Sequence, residues 1–201
     1  MERLIAGYRE FRRQRWPQER QHYEALANDQ KPKNFVISCC DSRVDPATIF
    51  NARMGELFVA RNVANLVPPF EADGKHHGTS AAIEFAVTAL NVETILVLGH
   101  ARCGGVSAAL SRAELPSGSF LAEWIRLLDP ALARCVDEPD DRQTAVERES
   151  IRLSLERLAE FPFVAEEVRS RKLALRGARF GIGDGKLEIL DPETGEFVDE
   201  K

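Results

Sequence analysis

The 201-residue chain contains no run of about 18 uncharged apolar residues, so no membrane-spanning helix is expected. It also lacks the apolar stretch of a secretory leader: charge enters within the first three residues and recurs through Arg15. A cytoplasmic protein is the expectation. Excess positive charge is missing as well. The formal net charge is −5 and the pI about 5.5, so nothing chain-wide invites nucleic acid. The local cluster Arg12, Arg13 and Arg15 reads as a solvated helix face. Cysteine is scarce, at four residues (Cys39, Cys40, Cys103, Cys135), which in such a chain points to metal or thiol chemistry rather than a disulfide framework. No repeat or low-complexity linker divides the sequence.

What is present is enough to bury a core: 44% hydrophobic and 29% charged residues over a length that suits one domain, residues 1–201. Apolar positions at Leu4, Ile5, Tyr8, Phe11, Tyr23 and Leu26, interrupted by Pro17, predict a helical arm over residues 1–29. The core is expected over 30–201. Asn34–Ser38, Glu56–Ala60 and Thr94–Leu98 are short β-rich runs, with a small-residue helix predicted over Gly78–Leu90. Residues Thr144–Arg169 carry a helical pattern that breaks at Phe161-Pro162. The tail, LRGARFGIGDGKLEIL, alternates about a Gly-Asp-Gly turn and predicts an antiparallel hairpin. The fold class expected is α/β: a central, mostly parallel sheet flanked by helices, with sites beyond the strands' carboxyl ends.

Two of those ends carry chemistry. His100-Ala101-Arg102-Cys103 offers two metal ligands across a turn, and the Cys39-Cys40 pair supplies a third. A catalytic zinc site needs three such side chains and one open position. Spacing alone leaves Cys39 and Cys40 as alternatives, while Cys135 has no partner motif and reads as structural. Asp41-Ser42-Arg43 follows directly, and a guanidinium two residues from a carboxylate can hold it ionised and oriented. Gly104 and Gly105 permit close backbone approach at the start of a helix. His22, His76 and His77 are candidates for moving a proton. Gly181–Lys186 lacks the spacing of a nucleotide loop and reads as a turn.

These residues resemble a known family. Cys39-Cys40-Asp41-Ser42-Arg43-Val44 is similar to the C-x-D-S-R-V signature of β-carbonic anhydrases, and Gly99–Gly105 to their G-H-x-x-C-G-G. Between them, Phe58-Val59-Ala60-Arg61-Asn62-Val63-Ala64-Asn65 resembles F-V-x-R-N-V-A-N. The resemblance implies a zinc lyase that reversibly hydrates CO2 to bicarbonate and a proton, with one Zn2+ per subunit on Cys39, His100 and Cys103. Cys40 then holds the variable position. It implies an Asp41–Arg43 dyad that orients a zinc-bound hydroxide, and a substrate pocket of Gln30, Phe58, Val63, Phe85 and the N–H of Gly104. The apolar wall is expected from a partner subunit in a homodimer or larger homo-oligomer, with N-terminal helices embracing the neighbour. Gln30, together with Val36 where another active-site type has tryptophan, implies the plant-like, open type. Hydrolysis of CS2 or COS on the same fold, and a purely structural zinc site, are the rival readings. The dyad argues against the second.

Overall fold

The computed structural model describes residues 1–73, 75–111, 116, 118–136 and 141–200. The chain divides into two compact units, Met1–Lys31 and Pro32–Lys201. In the first, α1 (Glu2–Glu10) runs through a π-helical stretch, Phe11–Arg15, into α2 (Trp16–Leu26). The interruption expected at Pro17 is therefore a widening. Proline lacks an N–H and its ring crowds the carbonyl four residues back, and a wider turn ahead of it accommodates both. The rings of Phe11, Trp16 and Tyr23 cluster with centroids 5.1–6.2 Å apart. Arg12 lies over Trp16, Arg13 pairs with Glu10 and Arg15 with Glu19, so the basic cluster is a solvated, locally paired face.

The second unit is built on one six-stranded sheet of order β2-β1-β3-β4-β5-β6, comprising β1 (Asn34–Cys39), β2 (Leu57–Asn62), β3 (Thr94–His100), β4 (Ala174–Phe180), β5 (Leu187–Leu190) and β6 (Phe197–Asp199). The pairings β1·β2, β1·β3 and β3·β4 are parallel, whereas β4·β5 and β5·β6 are antiparallel. The predicted mostly parallel sheet and closing hairpin are both present. Gly181–Lys186 is the hairpin turn, closed by the Gly181 N–H on the Lys186 carbonyl at 2.8 Å.

Period-two alternation sorts β1 between two layers. Phe35 and Ile37 enter a core with Ile95, Val97, Ile151 and Leu158, while Val36 packs on the other face with Val44, Leu98 and Ala178. Each fully buried aliphatic or aromatic side chain contributes roughly 1.5–3 kcal/mol of transfer free energy. The predicted helix at Gly78 forms as α4 (Gly78–Glu84), again followed by a π-turn, Phe85–Ala89. A short α3 (Pro46–Ile49) precedes it in the chain, and α5 (Gly104–Leu110), α6 (Phe120–Ile125) and α7 (Asp129–Arg134) follow. The long pattern after Thr144 resolves into α8 (Arg142–Glu160) and α9 (Pro162–Arg169), separated at Phe161 because Pro162 opens the second helix. Helix α8 lies close on the sheet because β3 and β4 present glycines beneath it. A Cβ at Gly99 would stand 2.7 Å from Ile151 Cδ1, and one at Gly177 2.7 Å from Ile151 Cγ2. Among the described residues no helix is long and apolar enough to cross a membrane.

Candidate active site

Parallel strands β1 and β3 end side by side, and their last residues are Cys39 and His100. Cys39 is buried, whereas Cys40 is exposed and continues the ladder with its N–H on the Asn62 carbonyl at 2.8 Å. The strand's parity thus separates the two cysteines that spacing had left equivalent. After His100 the chain turns through Arg102, a non-glycine residue at φ 56°, and Cys103 becomes the N-cap of α5. The ligand atoms of Cys39, His100 and Cys103 all lie within 4.8 Å of one another, and all three residues are buried. For Zn–S of about 2.3 Å and Zn–N of about 2.0 Å, tetrahedral ligand atoms sit roughly 3.5–3.8 Å apart, so the set needs little contraction to hold zinc.

His100 supports the same fit. Its Nδ1 lies 2.9 Å from the Ala101 carbonyl, which can only accept, so Nδ1 carries the hydrogen and the lone pair is on Nε2. Nε2 is buried without a hydrogen-bond partner; Asp41 Oδ2 stands 3.9 Å away. An orphaned buried nitrogen facing two sulfurs is costly as a packing element and suited to a metal. The sulfurs are electrostatically unequal. The Cys39 thiol is lowered chiefly by the Cys103 thiol donating to it; burial opposes this, and the N–H groups of Asp41 and Ala64 assist. Cys103 is pushed up by that same pairing and by burial.

The Ala64 N–H reaches Cys39 because Ala64 and Asn65 both take left-handed backbone, φ 64° and 50°. Such turns cost of order 1 kcal/mol for residues with a Cβ and gather at functional sites. Gly105 makes room for this one: a Cβ there would stand 2.9 Å from both Ala64 Cβ and Val63 Cγ1.

Arg43 grips Asp41 as a fork, Nε to Oδ1 at 2.9 Å and Nη2 to Oδ2 at 2.7 Å, with its backbone N–H also on Oδ1 at 3.0 Å. The Arg43 side chain chiefly holds the Asp41 carboxyl well below the usual carboxylate range; burial opposes this, and the Arg43 N–H and His100 add to it. Arg43 Nη2 also donates to the Arg102 carbonyl at 3.2 Å.

Of the expected apolar wall, Val63 borders the ligand turn, while Phe58 and Phe85 lie away from it in the subunit. Phe58 is in register with Phe35 on β1, four residues before Cys39, about 13 Å along the strand. Its ring packs on Phe35 at 5.3 Å and on Phe85 at 5.8 Å. Phe85 is half-exposed, and Val63 sits in the turn beside Gly105. Gly104 opens α5 with free space around its Cα, and Gln30 belongs to the first unit, where it is exposed. His77 is bound to Asp73 at 2.7 Å; with Glu71 these form an exposed second donor group, in which Lys75 also pairs with Asp73 at 2.9 Å. Cys135 is buried in the apolar cluster beneath α5. A cleft of about 780 Å³ lined by Phe70, Glu71, His76, His77, Phe161 and Phe163 contains none of Cys39, His100, Cys103, Asp41 and Arg43.

Three residues to which the motifs assigned no role organise the site. Arg61 donates to the carbonyls of Cys39 (2.9 Å), Asp41 (2.7 Å) and Val44 (2.6 Å), lacing the turn that bears Cys39, Asp41 and Arg43. A lone arginine ending the apolar run Leu57–Ala60 was the signal. Glu147 and Arg179 form a buried pair behind Cys103. Their signal was weaker: Glu147, Ser150 and Ser154 share the helical stripe of Ile151 and Leu158, placing polar groups where only apolar ones suit a core.

A parallel sheet bearing a buried Cys2His donor set at its carboxyl edge, beside an arginine-held carboxylate, defines a zinc-enzyme scaffold. The carbonic anhydrase family profile matches residues 34–187. Beta carbonic anhydrase 3 of Arabidopsis thaliana is 39% identical over 199 residues, covering 95% of this chain and 77% of the plant protein. Among solved structures, the β-carbonic anhydrase CcaA superposes with a TM-score of 0.87 at 30% identity, covering 100% of this chain and 92% of that one. A tetrameric β-carbonic anhydrase of Sordaria macrospora gives 0.83 at 28% identity, over 94% and 95% of the two chains. The chain belongs to the carbonic anhydrase family, in its zinc-dependent β class.

Proposed function

We propose that this carbonic anhydrase hydrates CO2 reversibly on zinc held by Cys39, His100 and Cys103, with Asp41 and Arg43 as the catalytic dyad. The single observation carrying the reading is the forked Arg43–Asp41 pair standing 3.9 Å from the unsatisfied His100 Nε2. Zinc, when bound, acidifies water and so supplies a nucleophile near neutral pH. Asp41, kept ionised by Arg43, accepts the nucleophile's hydrogen at a carboxylate oxygen and turns a lone pair toward the substrate carbon. Arg43 fixes that carboxylate: its N–H and Nε take up Oδ1, and Nη2 holds Oδ2 while leaving it a lone pair for the nucleophile's hydrogen. The Gly104 N–H steadies the substrate oxygen.

Phe58, Val63 and Phe85 act as the apolar wall of a neighbouring subunit's pocket. The strand register supports this, because Phe58 is about 13 Å from its own chain's ligand end. The assembly is then a homodimer or larger, in keeping with the tetrameric Sordaria relative and with an N-terminal unit whose Leu4 and Tyr8 are 73% and 61% exposed. Gln30 is the hydrogen-bond donor near substrate, and the active site is of the open, plant-like type. Strongly cooperative inhibition by bicarbonate near neutral pH would contradict that type.

Stopped-flow CO2 hydration on metal-analysed protein tests the whole reading. Cys39→Ser is expected to lose zinc. Asp41→Asn is expected to keep zinc and lose rate by about 10²-fold or more, the scale of a positioned proton acceptor. Zinc-loaded wild type without hydration activity would overturn the proposal.

A further inference from the structure

The peptide between Arg102 and Cys103 is held at both ends. Its carbonyl accepts from Arg43 Nη2 at 3.2 Å, and its N–H donates to Glu147 Oε1 at 3.0 Å. The residue before it is in strained left-handed backbone and the residue after it contributes a sulfur to the donor set. Glu147 is 2% exposed and comes from α8, 44 residues away. Its Oε2 is clamped by Arg179 Nε at 3.0 Å and Nη2 at 2.8 Å, and its Oε1 also accepts from Gln143 Nε2 at 3.0 Å. Arg179, 8% exposed, is braced in turn by Thr144 Oγ1 at 3.0 Å and by Glu188 at 3.2 Å, and Glu188 by Arg148 at 2.6 Å.

Burying such a pair costs several kcal/mol per ion in desolvation, and apolar residues of like volume serve stability as well. Its placement therefore asks for another reason. Of the carboxylate's four hydrogen bonds, one reaches backbone, and that backbone belongs to a metal-ligating residue.

We infer that Glu147, locked by Arg179, is a positioning residue for the zinc site: it fixes the Arg102–Cys103 peptide so that Cys103 Sγ stands in register with Cys39 and His100. The inference rests on the assignment of those three residues as zinc ligands. Since Arg43 holds the other end of the same peptide, Glu147 also sets the distance between the dyad and the sulfur. Outer partners that orient ligands are typically worth 10–100-fold in metal affinity.

The test is zinc affinity, by competition with a chromophoric chelator, and the absorption spectrum of the cobalt-substituted protein. Glu147→Gln has one carbonyl oxygen to share between Arg179 and the Cys103 N–H, so one partner is left unmet. Its zinc dissociation constant is expected to rise 10–100-fold, with a changed cobalt d–d envelope. Leu173→Ala, which opens a cavity in the apolar core before β4, is the control. It is expected to lower the melting temperature and leave zinc affinity and cobalt spectrum unchanged. Wild-type affinity in Glu147→Gln, or an equal loss in Leu173→Ala, would overturn the inference. If Glu147→Gln does not fold, Arg179→Lys keeps the charge but loses the fork. A threefold or greater loss of affinity then supports positioning, and no loss refutes it. Wild-type protein that takes up no zinc would remove the ligand assignment and this inference together; normal uptake with an unmoved Glu147→Gln removes this inference alone.

Discussion

At the scale of single residues the site is an exercise in holding backbone still. Arg61 spends its guanidinium on three carbonyls of the Cys39–Val44 turn rather than on a carboxylate, although Asp45 lies 3.8 Å away. Charge-assisted bonds to carbonyls are among the stronger ones, and leaving the acceptors unmet costs more than the bonds contribute. Arg61→Ala is expected to destabilise the protein by about 3 kcal/mol in urea unfolding and to lower hydration activity. Arg61→Lys, with one point charge for three acceptors, should recover less than half of the stability. Unchanged unfolding in Arg61→Ala would remove the lacing role.

At the scale of elements, helix α8 carries the rear wall of the site, and its start is set by Asp141. That side chain caps the helix by accepting the Thr144 N–H at 3.2 Å. The Thr144 hydroxyl foremost holds the Asp141 carboxyl below its ordinary value; burial opposes, and the Thr144 N–H, Arg179 and Arg148 assist. A depressed folded pKa contributes stability that is present above the unfolded value near 4 and is lost as pH falls through the folded one. Asp141→Asn keeps a cap but no charge. It is expected to be about 0.5–1 kcal/mol less stable than wild type at pH 7, with the gap closing below about pH 4 in thermal melts taken across pH. A gap that persists unchanged at pH 3 would contradict the charge argument.

At the scale of the whole molecule, Phe58 and Phe85 of the proposed wall pack together about 13 Å along the strand from the ligand end of their own subunit, so assembly and activity should fall together. Phe85 is 46% exposed, and its ring packs on Phe58 of β2 at 5.8 Å. Phe85→Arg is expected to shift the protein to monomer in light scattering, keep stoichiometric zinc and lose most hydration activity. A fully active monomer would refute the shared pocket. Much of this was legible in the linear chain. The β-rich runs ending at Cys39 and His100, the helix break at Pro162 and the hairpin about Asp184 follow from local propensity and periodicity, which neighbouring residues determine. The motif order pointed to Cys39, His100 and Cys103, which the fold gathers, and to Asp41 and Arg43, which it pairs. Tertiary structure decided the rest, because it depends on partners far apart in sequence. Whether Cys39 or Cys40 turns inward follows from strand register. The reach of Arg61 across 22 residues and of Glu147 across 44 follows from which strand and helix ends meet. The orphaned His100 Nε2, the mark of the metal centre, exists only once both sulfurs surround it.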